Sequence, residues 1–159
     1  TRGALEQAAK GDMSDEDFRS VLEVNLGAAY RLATDLAPLM SDGGSIVNIA
    51  SRAYLGNFGQ YNYSMSKGGL VGLTRALALS LAPAIRVNAV APGSFPDPEQ
   101  MSAEAYQQRD AAAAKTVPLG RVGRLKEVGY AAVFLASPAA AYVTGQTWAV
   151  DGGVSIQSA

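Results

Sequence analysis

SIVNIASRAYLGNFGQYNYSMSKGGL, residues 45–70, decides how the rest of the chain is read. Ser45 to Ala50 is short, nearly all apolar and rich in β-branched residues, and it is entered through Gly43 and Gly44. Those features predict a strand buried on both faces. Gly56 and Gly59 then mark a loop. Residues 61 to 82 carry a wide apolar stripe at helical spacing that ends before Pro83. Ser51 therefore falls at the carboxyl end of a strand. Tyr63 and Lys67, one turn apart, share a face at the start of a helix.

The same alternation extends in both directions. Toward the N-terminus, Ser14 with Asp17 three places on predicts a helix start with a carboxylate at N3. Apolar residues from Phe18 through Leu39 continue that helix to Met40, and Ser41-Asp42-Gly43-Gly44 stops it. Thr1 to Met13 has no period and reads as a loop. Toward the C-terminus, Ile85 to Ala91 is a second buried-type strand, closed by Pro92-Gly93. Residues 94 to 118 read as a loop carrying a short helix around Ala103 to Ala114. Leu125 to Ala136 is a further helix. Thr147 to Val150 is a third strand, closed by Asp151-Gly152-Gly153. Strands alternating with helices predict an α/β fold of Rossmann-like, doubly wound type, with a parallel sheet covered on both sides. No repeat or linker divides the chain, so residues 1–159 read as a single domain.

Composition narrows the chemistry. A net charge of −1 gives no basic footprint for nucleic acid and no polybasic patch for a membrane surface. Every apolar stretch is interrupted before it could span a bilayer. With no cysteine and no histidine, thiol nucleophiles, disulfides, Zn–Cys sites and histidine bases are all removed, and no metal site is expected. Chemistry falls to Ser, Tyr, Lys, Asp, Glu or a bound cofactor.

An ammonium beside a phenol favours the phenolate, which predicts a Tyr63 pKa below its reference. Such a tyrosine can give or take a proton at a carbonyl or alcohol. Ser51, at the carboxyl edge of the sheet where α/β folds bind ligands, could orient a substrate oxygen. Taken alone, a Tyr-x-x-x-Lys pair is usually a solvated helix face, and a serine after a strand is usually a turn residue. Tyr61 competes as the functional tyrosine, but six residues from Lys67 it lies on another face.

The set of stretches GSIVNIAS, YNYSMSKGG, RVNAVAPG, GRVGRLKEV and YVTGQTWAVDGG, in this order, resembles the short-chain dehydrogenase/reductase family from about Asp15 to Gly153. The likeness is greatest to its 3-oxoacyl-carrier-protein-reductase-like branch. The resemblance implies an oxidoreductase that interconverts a ketone and a secondary alcohol with NAD or NADP. It implies Tyr63 as the general acid/base and Lys67 as the residue that lowers its pKa and holds the nicotinamide ribose. Ser51 would hold the substrate oxygen, and Asn25, in VLEVNLG, would hold a water in a proton relay. Pro92 and Gly93, with backbone groups near Ser94 and Phe95, would face the nicotinamide. The threonine that often follows this glycine in the family is absent here, where the run is Ser94-Phe95-Pro96-Asp97-Pro98. Residues 94–118 match a mobile loop over the substrate. Tyr54, Leu55, Phe58 and Phe95 would line an apolar substrate site. Arg121, Arg124 and Asp151-Gly152-Gly153 would be structural. The family also implies a cytoplasmic homo-oligomer, a tetramer or dimer built on helices 14–40 and 61–82.

Part of the family pattern is missing. No G-x-G-x-x-G or G-x-x-x-G-x-G occurs, so the chain reads as the C-terminal portion of the fold, without its N-terminal nucleotide-binding strands. The strand at 45–50 is then expected to keep a bare apolar edge, and the 159 residues alone are expected to bind dinucleotide poorly. Two other classes stay open. One is a non-catalytic fragment or partner within a reductase assembly. The other is a lyase of the dehalogenase type, which uses Ser-Tyr-Arg without nucleotide; Lys67 in place of Arg argues against it. A pteridine-reductase-like relative, with an acid at the position of Ser51, ranks lower.

Overall fold

The computed structural model describes residues 14–156. The predicted loop over Thr1 to Met13 lies outside them. Helix α1 (Asp15–Leu22) opens on the expected cap. Ser14 Oγ accepts from the Asp17 N–H at 3.0 Å, and the Asp17 carboxylate accepts from the Ser14 N–H at 3.2 Å. The stretch predicted as one helix to Met40 is segmented. A π-helical turn, Glu23–Gly27, follows α1, then α2 (Ala28–Leu36) and a 3₁₀ turn, Ala37–Leu39. The break has a packing partner: a Cβ on Gly69 of α3 (Tyr61–Leu81) would lie 2.6 Å from Leu26 Cδ2, so the π turn presses directly on the α3 backbone.

Strands β1 (Gly44–Ile49), β2 (Ile85–Pro92) and β3 (Thr147–Val150) form a parallel sheet in the order β1-β2-β3. The register pairs Ile49 with Val90, and Pro92 with Val150. Alternation along β2 divides the layers. Ile85, Val87, Ala89 and Ala91 face α3, where they pack with Val71, Leu77 and Ala78. Arg86 and Asn88 face the opposite side, toward α5 (Leu125–Ala136) and the loop after it. The Arg86 guanidinium donates to the carbonyls of Leu135 at 2.7 Å and Ser137 at 3.2 Å, meeting the unpaired carbonyls and negative dipole end of α5. Asn88 donates to the Val143 carbonyl and accepts from the Gln146 N–H, which sets the chain's entry into β3. A charged and an amide side chain thus sit under a helix because backbone groups meet them there.

The two crossovers have opposite hand. Both advance across the sheet in one direction, β1 to β2 through α3 and β2 to β3 through α5, yet α3 and α5 cover opposite faces. One of them is therefore left-handed, the rare sense for a parallel crossover. The second connection is the longer of the two. It carries α4 (Ala103–Thr116), whose cap is Ser102, before the chain reaches α5. Its neck is closed by the Gly123 N–H donating to the Ser94 carbonyl at 3.0 Å.

Sheet burial is uneven. Val87, Ala89, Val90 and Ala91 are fully buried, whereas Ile49 and Trp148 on the flanking strands are partly open. Among the described residues β1 pairs only with β2, leaving its outer edge free as expected. A groove of about 500 Å³ follows that edge, walled by Leu32 and Leu36 of α2 and floored by Ile46 and Asn48.

At the start of α5, Glu127 accepts from both arms of Arg121, at 2.9 and 2.7 Å, and from the Arg124 N–H at 2.8 Å. These bonds, the Arg121 side chain first, hold its carboxyl at about 2 against the usual 4.5. A depressed carboxyl contributes stability above its unfolded pKa and loses it as pH falls through its folded pKa. The urea-midpoint difference between wild type and Glu127→Gln is therefore expected to be constant above about pH 4.5 and to shrink toward about pH 2. On the same face Leu135 is fully buried beneath the sheet. Leu135→Ala is expected to cost about 2–5 kcal/mol in a urea titration, with unchanged slope.

Candidate active site

The predicted site residues fall at the carboxyl ends of β1 and β2, the sheet edge where open α/β folds take ligands. β1 ends at Ile49, and the Ala50 N–H continues the ladder to the Val90 carbonyl at 2.7 Å. Ser51 follows in extended conformation. Its Oγ accepts from the Ala53 N–H at 3.2 Å and so caps the 3₁₀ turn Arg52–Leu55. That use leaves the hydroxyl proton and a lone pair for other partners. Ser51 is half-buried. It is both the turn residue of the plain reading and a polar group at the sheet edge.

Tyr63 and Lys67 occupy the first two turns of α3. The Lys67 ammonium lies 5.6 Å from the Tyr63 ring centroid and donates to the Ile49 carbonyl at 2.9 Å. Lysine, helix and strand end are thereby tied together two residues before Ser51. Partial burial pushes the Lys67 pKa below the usual lysine value. The ammonium has three donors and gives one to Ile49.

Asn25 stands in the middle of the π turn. Its Nδ2 donates to Ser66 Oγ at 3.2 Å, and Ser66 Oγ donates to the Tyr63 carbonyl at 2.7 Å. Ser66 is fully buried, and sequence reasoning passed over it. The only available signal was its position three residues after Tyr63, where a serine hydroxyl can back-bond to a helix carbonyl. The π turn was invisible in the periodicity, although such bulges frequently mark functional places. Asn25 and Lys67 line the same groove along β1.

The residues after β2 face another space. Ser94 and Phe95 line a cavity of about 160 Å³ with Val117, Leu119, Val150 and Asp151, apart from the groove of Asn25 and Lys67. Pro92 ends the strand. The Gly93 N–H donates to the Val150 carbonyl at 2.9 Å. Gly93 has a packing reason of its own, since a Cβ there would lie 2.8 Å from Asp151 Cα. The substrate-lining set is also dispersed: Phe95 lines this cavity, Tyr54 packs on the Ala50–Val71–Ala89–Ala91 cluster, and Leu55 and Phe58 are exposed. Arg121 is engaged by Glu127, the structural role expected for it. Among the described residues no group of His, Cys, Asp or Glu is placed to hold a metal, and no helix is long and apolar enough to cross a membrane.

Comparison with known proteins points to the same family as the sequence motifs. The model of the family described as "Enoyl-(Acyl carrier protein) reductase" matches residues 3–155. An uncharacterized short-chain type dehydrogenase/reductase of Sinorhizobium fredii is 45% identical over 149 residues, covering 92% of this chain and 27% of its own length. A 3-oxoacyl-[acyl-carrier-protein] reductase of Thermotoga maritima is 41% identical, covering 91% of this chain and 59% of its own. Among solved structures, a short-chain dehydrogenase/reductase of Brucella melitensis superposes with a TM-score of 0.79 at 36% identity, over 90% of this chain and 56% of that one. The aldohexose dehydrogenase of Thermoplasma acidophilum superposes with a TM-score of 0.83 at 32% identity, over 91% of this chain and 62% of that one. The chain thus spans less than two thirds of the length of these relatives. The sheet edge, the Tyr63–Lys67 pair and these matches lead to one assignment: the chain belongs to the short-chain dehydrogenase/reductase family and corresponds to the C-terminal part of its Rossmann-like fold.

Proposed function

We propose that the protein carrying this sequence is an NAD- or NADP-dependent oxidoreductase that interconverts a ketone and a secondary alcohol, with Tyr63 as general acid/base. The observation that supports this reading is the placement of Tyr63 and Lys67 on one helix face, with the Lys67 ammonium on the last carbonyl of β1 and Ser51 opening the next turn.

The residues present fit the nicotinamide–ribose half of such a cofactor. Lys67 is a partly desolvated cation with donors to spare, suited to ribose hydroxyls. Pro92 and Gly93 offer the neighbouring strand end, while Ser94 and Phe95 line the separate cavity beside it. The described residues include no glycine turn between strand and helix for a pyrophosphate, so they carry no choice between NAD and NADP. The bound nicotinamide supplies the hydride. In the reduction direction, the Tyr63 hydroxyl donates a proton to the substrate oxygen and the Ser51 hydroxyl donates a hydrogen bond to it. The Lys67 ammonium stabilises the negative charge left on Tyr63. Asn25, fixed through Ser66, orients water in the groove so that a proton returns from solvent.

The substrate class we favour is a 3-oxoacyl thioester, from the names of the Thermotoga maritima relative and others like it. The name of the matched family points instead to an enoyl thioester, so both belong in the test. A homo-oligomer, dimer or tetramer, in the cytoplasm is proposed by the same analogy. A second reading, a non-catalytic partner in a reductase assembly, is favoured by the open edge of β1 and the exposed apolar side chains of Val24, Leu32 and Leu36 beside it.

The test is reduction of a simple ketone, a 3-oxoacyl thioester and an enoyl thioester by the whole polypeptide, with NADH and NADPH in parallel. Tyr63→Phe is expected to lower kcat/KM for the keto substrate by about 10²–10⁴-fold while leaving nucleotide affinity nearly unchanged. Lys67→Met is expected to weaken nucleotide binding and turnover together. Keto-substrate turnover that survives Tyr63→Phe would overturn the catalytic assignment, and absence of any turnover would favour the partner reading.

A further inference from the structure

The Asp151-Gly152-Gly153 turn does more than end a strand. Asp151 is buried at the carboxyl end of β3. Its Oδ1 accepts from the Gly153 N–H at 2.9 Å and its Oδ2 from the Ser155 N–H at 2.8 Å. The two bonds close a tight turn in which Gly152 and Gly153 both hold positive φ, 67° and 92°. Against the outside of that turn lies the return leg of the 94–118 excursion. A Cβ on Gly152 would lie 2.6 Å from Val117 Cγ1, and one on Gly153 would lie 3.0 Å from Pro118 Cγ. The Leu119 N–H donates to the Gly152 carbonyl at 3.2 Å.

On its other side Asp151 supports the end of β2, where Gly93 packs against its Cα and Cβ. One residue therefore stands between the strand end that carries Pro92–Gly93 and the segment that returns from α4. On its other sides the leg is tied to α4, where the Val117 N–H donates to the Ala113 carbonyl at 2.8 Å, and beyond it the Val122 N–H donates to the Asp110 carboxylate at 3.0 Å. The cavity of about 160 Å³ lies beside it, bordered by Phe95, Val117, Leu119 and Val150. A void supplies no contacts, so toward the sheet the contacts of residues 117–119 are those with the turn.

We infer that Asp151 is a positioning residue: by shaping the Gly152–Gly153 turn it sets where the return leg 117–119 lies relative to the Pro92–Gly93 strand end, and hence how the 94–118 segment sits over the site. The link to the site rests on the reductase reading above; the link from Asp151 to the leg does not.

Amide hydrogen exchange on the chain, without nucleotide or substrate, separates the two. Asp151→Ala is expected to speed exchange at Leu119 by about tenfold or more, together with Gly153 and Ser155. Exchange in α3 and at Gly93, whose N–H pairs in the ladder with Val150, is expected to hold. Asp151→Asn keeps one acceptor oxygen in an isosteric side chain and is expected to restore part of the protection at Leu119. That rescue would not follow from mere loss of packing. Unchanged exchange at Leu119 in Asp151→Ala, with Gly153 and Ser155 alone affected, overturns the inference. Should Asp151→Ala not fold, Asp151→Asn decides on the same amide: faster exchange at Leu119 than in wild type supports the inference, and wild-type exchange there overturns it. Failure of the reductase reading would show in the turnover assay and leave these exchange rates untouched.

Discussion

Two-sided parallel pairing of β2 is the constraint on which the rest depends. A strand with parallel neighbours on both edges can be reached and left only by crossovers, so the helices are obligatory. Its side chains must also satisfy both helical layers at once. Ile85, Val87, Ala89 and Ala91 do this by apolar burial. Arg86 and Asn88 do it by hydrogen bonding, because the layer above them presents the end of α5 and the chain's entry to β3. Had those positions been apolar, the terminal carbonyls of α5 would have kept only the Ser45 hydroxyl, which donates to Leu135 at 3.2 Å, as a side-chain donor from the sheet. The sheet edge that carries Ser51, Pro92 and Asp151 is a by-product of the same pairing, since all three strands point one way.

Much of this order was legible from residues. Three strands were readable from short β-branched runs closed by glycine or proline, and their bounds differ from the structure by a residue or so: Ser45–Ala50 against Gly44–Ile49, Ile85–Ala91 against Ile85–Pro92. The cap at Ser14 was readable because cap chemistry is local. The hand of the crossovers was not readable. A helix that covers one face of a sheet has the same apolar stripe as one that covers the other, so no pattern within α5 announces its side. The segmentation of residues 14–40 was also hidden. The π turn changes the spacing by one residue over a single turn, and what it packs against, the backbone of α3 at Gly69, is a tertiary contact.

The site divides in the same way. Tyr63 and Lys67 were readable because one helical turn fixes their neighbourhood. Ser51 was readable because it ends a strand. The link from Asn25 to Tyr63 was not, since it runs through Ser66, whose hydroxyl joins residues 41 positions apart. Sequence had no way to place Ser94 and Phe95 in a different space from Asn25 and Lys67. The resemblance assigns Gly93 to the approach of a cofactor, and the fold adds a packing reason that sequence did not show, the Asp151 backbone beside it. A glycine that admits a ligand and one that admits another part of the chain look alike until the chain is folded.

The position of Lys67 carries a physical implication of its own. A partly desolvated ammonium is stable only where donors find acceptors. Here the Ile49 carbonyl takes one, and the groove around the rest is walled largely by apolar side chains, with Asn25, Ser45 and Asn48 as its neutral polar residues. Asn48 donates one amide N–H to Thr74, and Asn25 one to Ser66, so each amide is anchored in the fold and keeps a second N–H and its oxygen. The ammonium keeps donors for acceptor oxygens at the open end of a parallel sheet. A neutral apolar occupant there would deepen the desolvation of the charge. A ligand rich in hydroxyl oxygens would supply acceptors instead, which is the electrostatic reason the proposed ribose suits the place beside Tyr63.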